Sequence, residues 1–147
     1  MTIRRYQPGD LAAMREIWNE VVEAGNAFPQ EDPLADDEQA AAFFGGQTYT
    51  AVADDGDGIA GLYILHPNNT GRCGHIANAS FAGRAGARGR GTGEALVRAA
   101  LERARREEAD CVMLTSSAAR TAARSLYRKV GFVEVETSVF TLKREKI

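Results

Sequence analysis

Residues 88–93 read Arg88-Gly89-Arg90-Gly91-Thr92-Gly93 and run directly into Glu94-Ala95-Leu96-Val97. Three glycines in alternation let successive backbone N–H groups turn to one side without interference from Cβ atoms, which makes a nest for an anion. A helix starting near Thr92 adds its unpaired N–H groups and the positive end of its dipole at the same point. Arg88 and Arg90 supply charge. The chemistry suits a pyrophosphate, although a plain glycine-rich turn carrying surface arginines uses the same residues. A Walker A loop requires a lysine after its last glycine, and none is present. A Rossmann fingerprint requires an early strand and G-x-G-x-x-G spacing, whereas this loop lies past the middle of the chain with R-x-x-G-x-G spacing.

Working outward, Glu94–Ala109 carries Val97, Leu101 and Ala104 on one face with arginines and glutamates opposite, the pattern of an amphipathic helix. Val112–Thr115 reads as a short β-branched strand. Ala118–Val130 reads as a helix with Gly131 at its C-terminal stop. Val133–Leu142 is a further extended run with a break near Thr137-Ser138. On the N-terminal side, Tyr49–Ala53 and Ile59–Leu65 flank the turn-rich Asp54-Asp55-Gly56-Asp57-Gly58, a hairpin signal. After the turn Pro67-Asn68-Asn69-Thr70-Gly71, His75–Gly83 is the third strand of a meander. Thr2–Tyr6 reads as an edge strand. Leu11–Ala24 is a helix capped by Asp10, with Leu11, Met14, Ile17, Trp18, Val21 and Val22 as one apolar stripe. A second helix starts at Asp36, with Gln39 placed for a capping box. The order predicts an α+β domain spanning 1–147, with a mixed, mostly antiparallel sheet and helices on both faces.

The chain has 147 residues, a formal net charge of -2 and 44% hydrophobic residues. That composition fits one soluble globular domain and gives no support to a polyanion-binding coat or a polybasic membrane anchor. No apolar run approaches the ~20 residues of a membrane span, and MTIRRYQPGD has no hydrophobic signal core, so the expected location is cytoplasmic. Cys73, Cys111, His66 and His75 show no metal-ligand spacing, and no metal is expected. The two cysteines read as partly buried small hydrophobes.

The glycine loop opening a helix, followed later by Leu126-Tyr127-Arg128-Lys129-Val130-Gly131-Phe132, resembles the GNAT superfamily of N-acetyltransferases. Ile17-Trp18-Asn19-Glu20-Val21-Val22, Ala27-Phe28-Pro29 and Gly74-His75-Ile76-Ala77-Asn78-Ala79-Ser80-Phe81 look most like the small bacterial amine, amino-acid and phosphinothricin-type members. The resemblance implies acetyl-CoA as donor and strands splayed to admit it. Phe81, Ala82 and Gly83 would pair with the pantetheine arm, and Arg88, Gly89, Arg90, Gly91, Thr92 and Gly93 would hold the pyrophosphate. Tyr127 matches the family tyrosine that protonates the departing thiolate. A backbone N–H near Ala82 or Gly83 would serve the oxyanion.

Five positions depart from the family pattern. Asn78 stands where many relatives carry a glutamate that acts as base, and an amide cannot do so. Gly83 replaces a usual valine, Arg84-Ala85 replaces the usual entry to the loop, and Arg120 stands where relatives often have an asparagine that contacts CoA. Arginine there reaches a phosphate or loses the contact. An alkylamine of pKa ~10.4 is only about one part in a thousand neutral near pH 7.4, so either its deprotonation is assisted or the substrate arrives less basic, and the sequence names no base. Glu20, Glu23, Glu31 and Asp32 are candidates through water. Glu31, Asp32, Asp36 and Asp37 either attract a cationic amine or are simply solvated.

The leading reading is an acetyl-CoA-dependent N-acetyltransferase acting on a small primary amine, an amino acid or analogue, by direct attack in a ternary complex. The competing reading is a non-catalytic CoA-binding sensor that keeps the fold. Arginines at 84, 88, 90, 98, 103, 105 and 106 interleave with glutamates and lack aromatic partners, so no nucleic-acid partner is expected. Dimers are common among relatives, and no residue here proves one.

Overall fold

The computed structural model describes residues 1–25, 28, 31–67 and 75–146. Five strands form one sheet in the order β1-β2-β3-β4-β5: β1 Thr2–Arg5, β2 Tyr49–Asp54, β3 Ile59–Pro67, β4 Ile76–Gly83 and β5 Cys111–Met113. The first four are antiparallel neighbours, and β5 runs parallel to β4. Helices α1 (Leu11–Ala24), α2 (Asp37–Gly45), α3 (Thr92–Arg106) and α4 (Thr121–Val130) complete the fold. Among the described residues no helix is long and apolar enough to cross a membrane.

The strands alternate as period-2 pleating demands. Val52, Leu62, Ile64 and Ala82 face Met14, Ile17, Trp18 and Val22 of α1 and Ala40 and Phe44 of α2. Ala51, Ala53, Tyr63, Leu65, Ala77 and Ala79 face Leu96, Ala100 and Ala104 of α3. Because both faces are covered, Ile59 to Leu65 are buried without a break, which explains the nearly continuous apolar run of β3. Trp18 is a core residue, 2% exposed.

Gly61 sets how closely α3 approaches. A Cβ there would lie 2.9 Å from the Ala82 carbonyl oxygen, 3.0 Å from Leu96 Cδ1 and 3.2 Å from Thr92 Cγ2. Only glycine lets the first turn of α3 settle on the sheet, and that turn carries the 88–93 loop.

The loop before α2 is tied to α1. Asn19 and Leu34 exchange two hydrogen bonds of 2.9 and 2.8 Å, and Arg15 reaches the Ala35 carbonyl at 3.0 Å. Asp36 caps α2 by accepting from the Gln39 amide at 2.8 Å. The Gln39 side chain accepts from the Ala35 amide instead of the Asp36 amide, so the expected box closes one residue early.

Several boundaries differ from expectation. α4 starts at Thr121, not Ala118, because Ser117 holds a turn: its Oγ accepts from the Ala119 amide and its carbonyl from the Arg120 amide. α3 begins at Thr92 and ends at Arg106, where Glu108 adopts a left-handed φ of 58°. The expected strand at Val112–Thr115 is Cys111–Met113, since Leu114 and Thr115 leave the sheet. Val133–Leu142 forms no strand: the run has the β-branched residues but pairs with no strand among the described residues, and Val133, Val135, Val139, Phe140 and Leu142 are exposed. Cys111 is exposed, not a buried hydrophobe. Cys73 and the turn at 68–71 lie outside the described residues.

Candidate active site

The parallel pairing of β4 with β5 lasts three residues: Ile76↔Cys111, Ala77↔Val112 and Asn78↔Met113. Past Asn78 the two strands part. A cavity of about 530 Å³ occupies the gap, with Asn78, Ala79, Ser80 and Phe81 on the β4 side and Leu114 and Thr115 on the other. Arg120 and Tyr127 also line it, together with Phe28, Phe43, Gln47, Ile64 and His66. The Phe28 ring is backed by Trp18, stacked at 4.2 Å and 17°.

Strand register decides which backbone groups face this gap. The Arg84 amide donates to the Ala60 carbonyl at 2.9 Å, which makes 84/60 a hydrogen-bonded pair of the β3–β4 ladder. Such pairs alternate, so 82/62 and 80/64 are also bonded, and the N–H groups of Ala79, Phe81 and Gly83 point away from β3 toward the side that β5 vacates. Ala82 is therefore excluded as a donor into the gap. Its amide faces β3, and its side chain is 2% exposed in the core beneath α1.

The glycine loop sits at the start of α3. Gly89 and Gly91 have φ of 81° and 78°, the left-handed region glycine favours, and an added Cβ at either would meet nothing within 4 Å. Gly91 is the N-cap, and no side chain caps the helix, so the first-turn N–H groups stay open. Thr92 Oγ1 is buried without a hydrogen-bond partner. Arg88 is exposed and has no ionic or hydrogen-bonding partner among the described residues, whereas Arg90 lies 3.7 Å from Asp55. An open cradle, an orphaned hydroxyl and an unpaired cation fit an anionic ligand. Gly93 adjoins α4, its Cβ position being 3.4 Å from Leu126 Cδ2, and Lys129 pairs with Glu94 at 2.6 Å. The loop and the Tyr127 helix are thus one packed unit.

Tyr127 is half-buried, and its hydroxyl has no hydrogen-bond partner among the described residues. Burial pushes its phenol above the ordinary value, and the Arg120 guanidinium pulls it part of the way back. The group therefore stays protonated at neutral pH, as a proton donor must. Arg120 itself has no ionic partner among the described residues.

Of the residues singled out in the sequence, Asn78, Phe81, Arg120 and Tyr127 line the cavity; Arg88–Gly93 does not line it but leads into the start of α3. Gly83 is exposed at the end of β4. None of the acids Glu20, Glu23, Glu31, Asp32, Asp36 or Asp37 lines the cavity: Asp36 caps α2, and Asp37 pairs with Arg15 at 3.2 Å. Sequence reading missed Gln47, His66 and Ser80. His66 carried no signal of its own in the sequence, since its place opposite Asn78 is set by strand register. Among the described residues no three His, Cys, Asp or Glu side chains gather as a metal site.

Residues 11–132 match the model of the acetyltransferase (GNAT) family. The chain belongs to that family. It is an N-acetyltransferase by this membership, and its fold recurs widely among solved family structures. A GCN5-related N-acetyltransferase from Kribbella flavida is 32% identical, over 93% of this chain and 84% of that one, with a TM-score of 0.82. A ribosomal-protein-alanine N-acetyltransferase from Brucella melitensis is 26% identical over 92% and 86%, with a TM-score of 0.86. A Sinorhizobium meliloti phosphinothricin acetyltransferase, solved in complex with acetyl-CoA, shares the fold at 24% identity over 88% and 73%, with a TM-score of 0.78. No curated protein matches the chain.

Proposed function

We propose that this N-acetyltransferase transfers the acetyl group of acetyl-CoA to the primary amine of a small molecule, an amino acid or analogue, by direct attack in a ternary complex. The observation that carries the reading is Tyr127: an unpartnered phenol in a cavity between two parting strands, on the helix that packs against the glycine loop. The amides of Gly89 to Gly93 hold the pyrophosphate, with Arg88 adding charge. The vacated edge of β4 pairs with the pantetheine arm through Ala79, Phe81 and Gly83. One of those N–H groups stabilises the oxyanion as the amine adds to the thioester carbonyl. Tyr127 then gives its proton to the departing sulfur.

The acceptor class follows from the wall residues. Phe28, Phe43 and Ile64 offer apolar surface, Gln47, Asn78 and Ser80 offer neutral polar groups, and Arg120 offers a cation. No carboxylate lines the cavity among the described residues, which disfavours a polyamine and favours an amine that carries its own carboxylate.

The test is thiol release from acetyl-CoA against amino acids, methionine sulfone, phosphinothricin, polyamines and aminoglycosides, with acetyl-CoA binding followed by calorimetry. Turnover on carboxylate-bearing amines is the expected result. Binding without turnover on any of them would overturn the reading, as would turnover confined to the polyamines.

A further inference from the structure

We infer that His66 is the base that takes the proton from the acceptor amine. This rests on the acetyl-transfer reading and supplies the group that the sequence left unnamed.

Three observations carry it. First, the described side chains lining the cavity include three that titrate or carry charge: His66 from β3, and Arg120 and Tyr127 at the α4 end. Arginine remains charged throughout, and the Tyr127 phenol is held protonated by burial, so neither accepts a proton near neutrality. The groups facing them from β4 and from the α2–β2 connection are Asn78, Ser80 and Gln47, none of which is a base. A neutral imidazole, by contrast, carries a basic ring nitrogen. Second, His66 Nδ1 lies 2.9 Å from the Pro67 carbonyl oxygen. A carbonyl only accepts, so Nδ1 carries the hydrogen and the lone pair of the neutral ring is on Nε2. The backbone thus fixes the tautomer that a base requires. Third, His66 is the register partner of Asn78. Side chains of such partners stand side by side on one face of the sheet. Both side chains line the cavity, so the β3 imidazole and the β4 amide share one wall of it.

The proton balance is simple. The acceptor ammonium gives one proton to His66 Nε2, forming imidazolium and a neutral amine, which attacks the thioester carbonyl. As the C–N bond forms and the C–S bond breaks, the nitrogen loses a second proton while sulfur gains one from Tyr127. That second proton restores the phenol by way of solvent, and the imidazolium releases the first to solvent.

The experiment compares wild type with His66→Gln on two acceptors: methionine sulfone, an ammonium at pH 7, and a hydrazide, which is already neutral there. We expect kcat/KM for the amine at pH 7 to fall ~10²-fold or more, the size of a lost general base. The loss should shrink as pH rises, the hydrazide rate should change little, and acetyl-CoA affinity should hold. His66→Ala should regain rate when imidazole is added to the buffer. An equal loss on both acceptors, or an unchanged pH profile, overturns the assignment of His66. A wild type that binds acetyl-CoA but acetylates neither of these nor any other carboxylate-bearing amine overturns the proposed acceptor class, not the assignment of His66. If the Gln variant misfolds, imidazole rescue of the Ala variant decides: no rescue counts against His66.

Discussion

Phe132 closes back on Tyr127: its amide donates to the Tyr127 carbonyl at 2.9 Å, and its ring stands edge-on to the phenol with centroids 5.7 Å apart and planes at 62°. Gly131, at a φ of 114°, makes that reversal possible. The Gly-Phe that ends the motif therefore packs against the Tyr127 phenol as well as stopping the helix.

Replacing Tyr127 by Phe keeps the ring contact and removes only the proton. Turnover should fall ~10²–10⁴-fold with acetyl-CoA affinity nearly unchanged. Because the phenol is raised above its ordinary value, the wild-type rate should not decline through loss of this proton until pH passes about 10. Steady-state rates from pH 6 to 10 with both proteins check this. Equal activity in the variant would remove Tyr127 from the chemistry.

Gly91→Ala separates backbone strain from ligand exclusion. Holding alanine at a φ of 78° costs ~1–2 kcal/mol, and the new methyl meets no protein atom within 4 Å. On the proposed reading, the amides of this loop hold the pyrophosphate, and the methyl would crowd it. Acetyl-CoA affinity should drop at least tenfold, along with a modest fall in Tm. Gly91→Asn, which tolerates the left-handed region, should recover Tm without recovering affinity. Calorimetry and thermal melts on both variants distinguish the two effects.

Elements with local signals were legible in the sequence. The α1 stripe, the Asp36 cap, the β2–β3 hairpin and the glycine loop each declare themselves within a few residues. What escaped depends on distant partners. The extended run after Phe132 has strand propensity, yet it pairs with no strand among the described residues, the outer edge of β5 included. His66 became visible only when register set it opposite Asn78, and Ala82 was excluded as a donor only when the ladder showed its amide facing β3.

Acid should loosen the β1 edge. Arg4 bridges Asp10, at 2.7 and 3.0 Å, and Asp54, at 3.1 and 3.2 Å. The hydrogen bond from Arg4 holds the Asp10 carboxyl below its ordinary value, and the Gly56 amide together with Arg4 does the same for Asp54. A carboxyl depressed in the folded state stabilises above its unfolded pKa, and that stabilisation disappears as pH falls through the folded one. Asp10→Asn should therefore lower Tm at pH 7, and the gap to wild type should close below about pH 4. A gap that persists unchanged at pH 2 would show that packing, not charge, is what Asp10 contributes.

Gly61 and Gly83 are register partners across β3 and β4, yet only one of them is crowded. A methyl at Gly61 collides with the Ala82 carbonyl oxygen at 2.9 Å, and backbone in a central strand cannot step aside as a side chain does. A methyl at Gly83 meets nothing within 4 Å. Gly61→Ala should cost ~1–3 kcal/mol by overpacking, a Tm loss of several degrees in a domain of this size. Gly83→Ala should leave Tm near wild type. The first change also pushes on Leu96 and Thr92, so relieving it lifts the start of α3 and the glycine loop with it. Acetyl-CoA affinity should therefore weaken in Gly61→Ala even at temperatures where the protein is fully folded. Normal affinity in a destabilised Gly61→Ala would mean that the loop holds its shape independently of how α3 seats on the sheet.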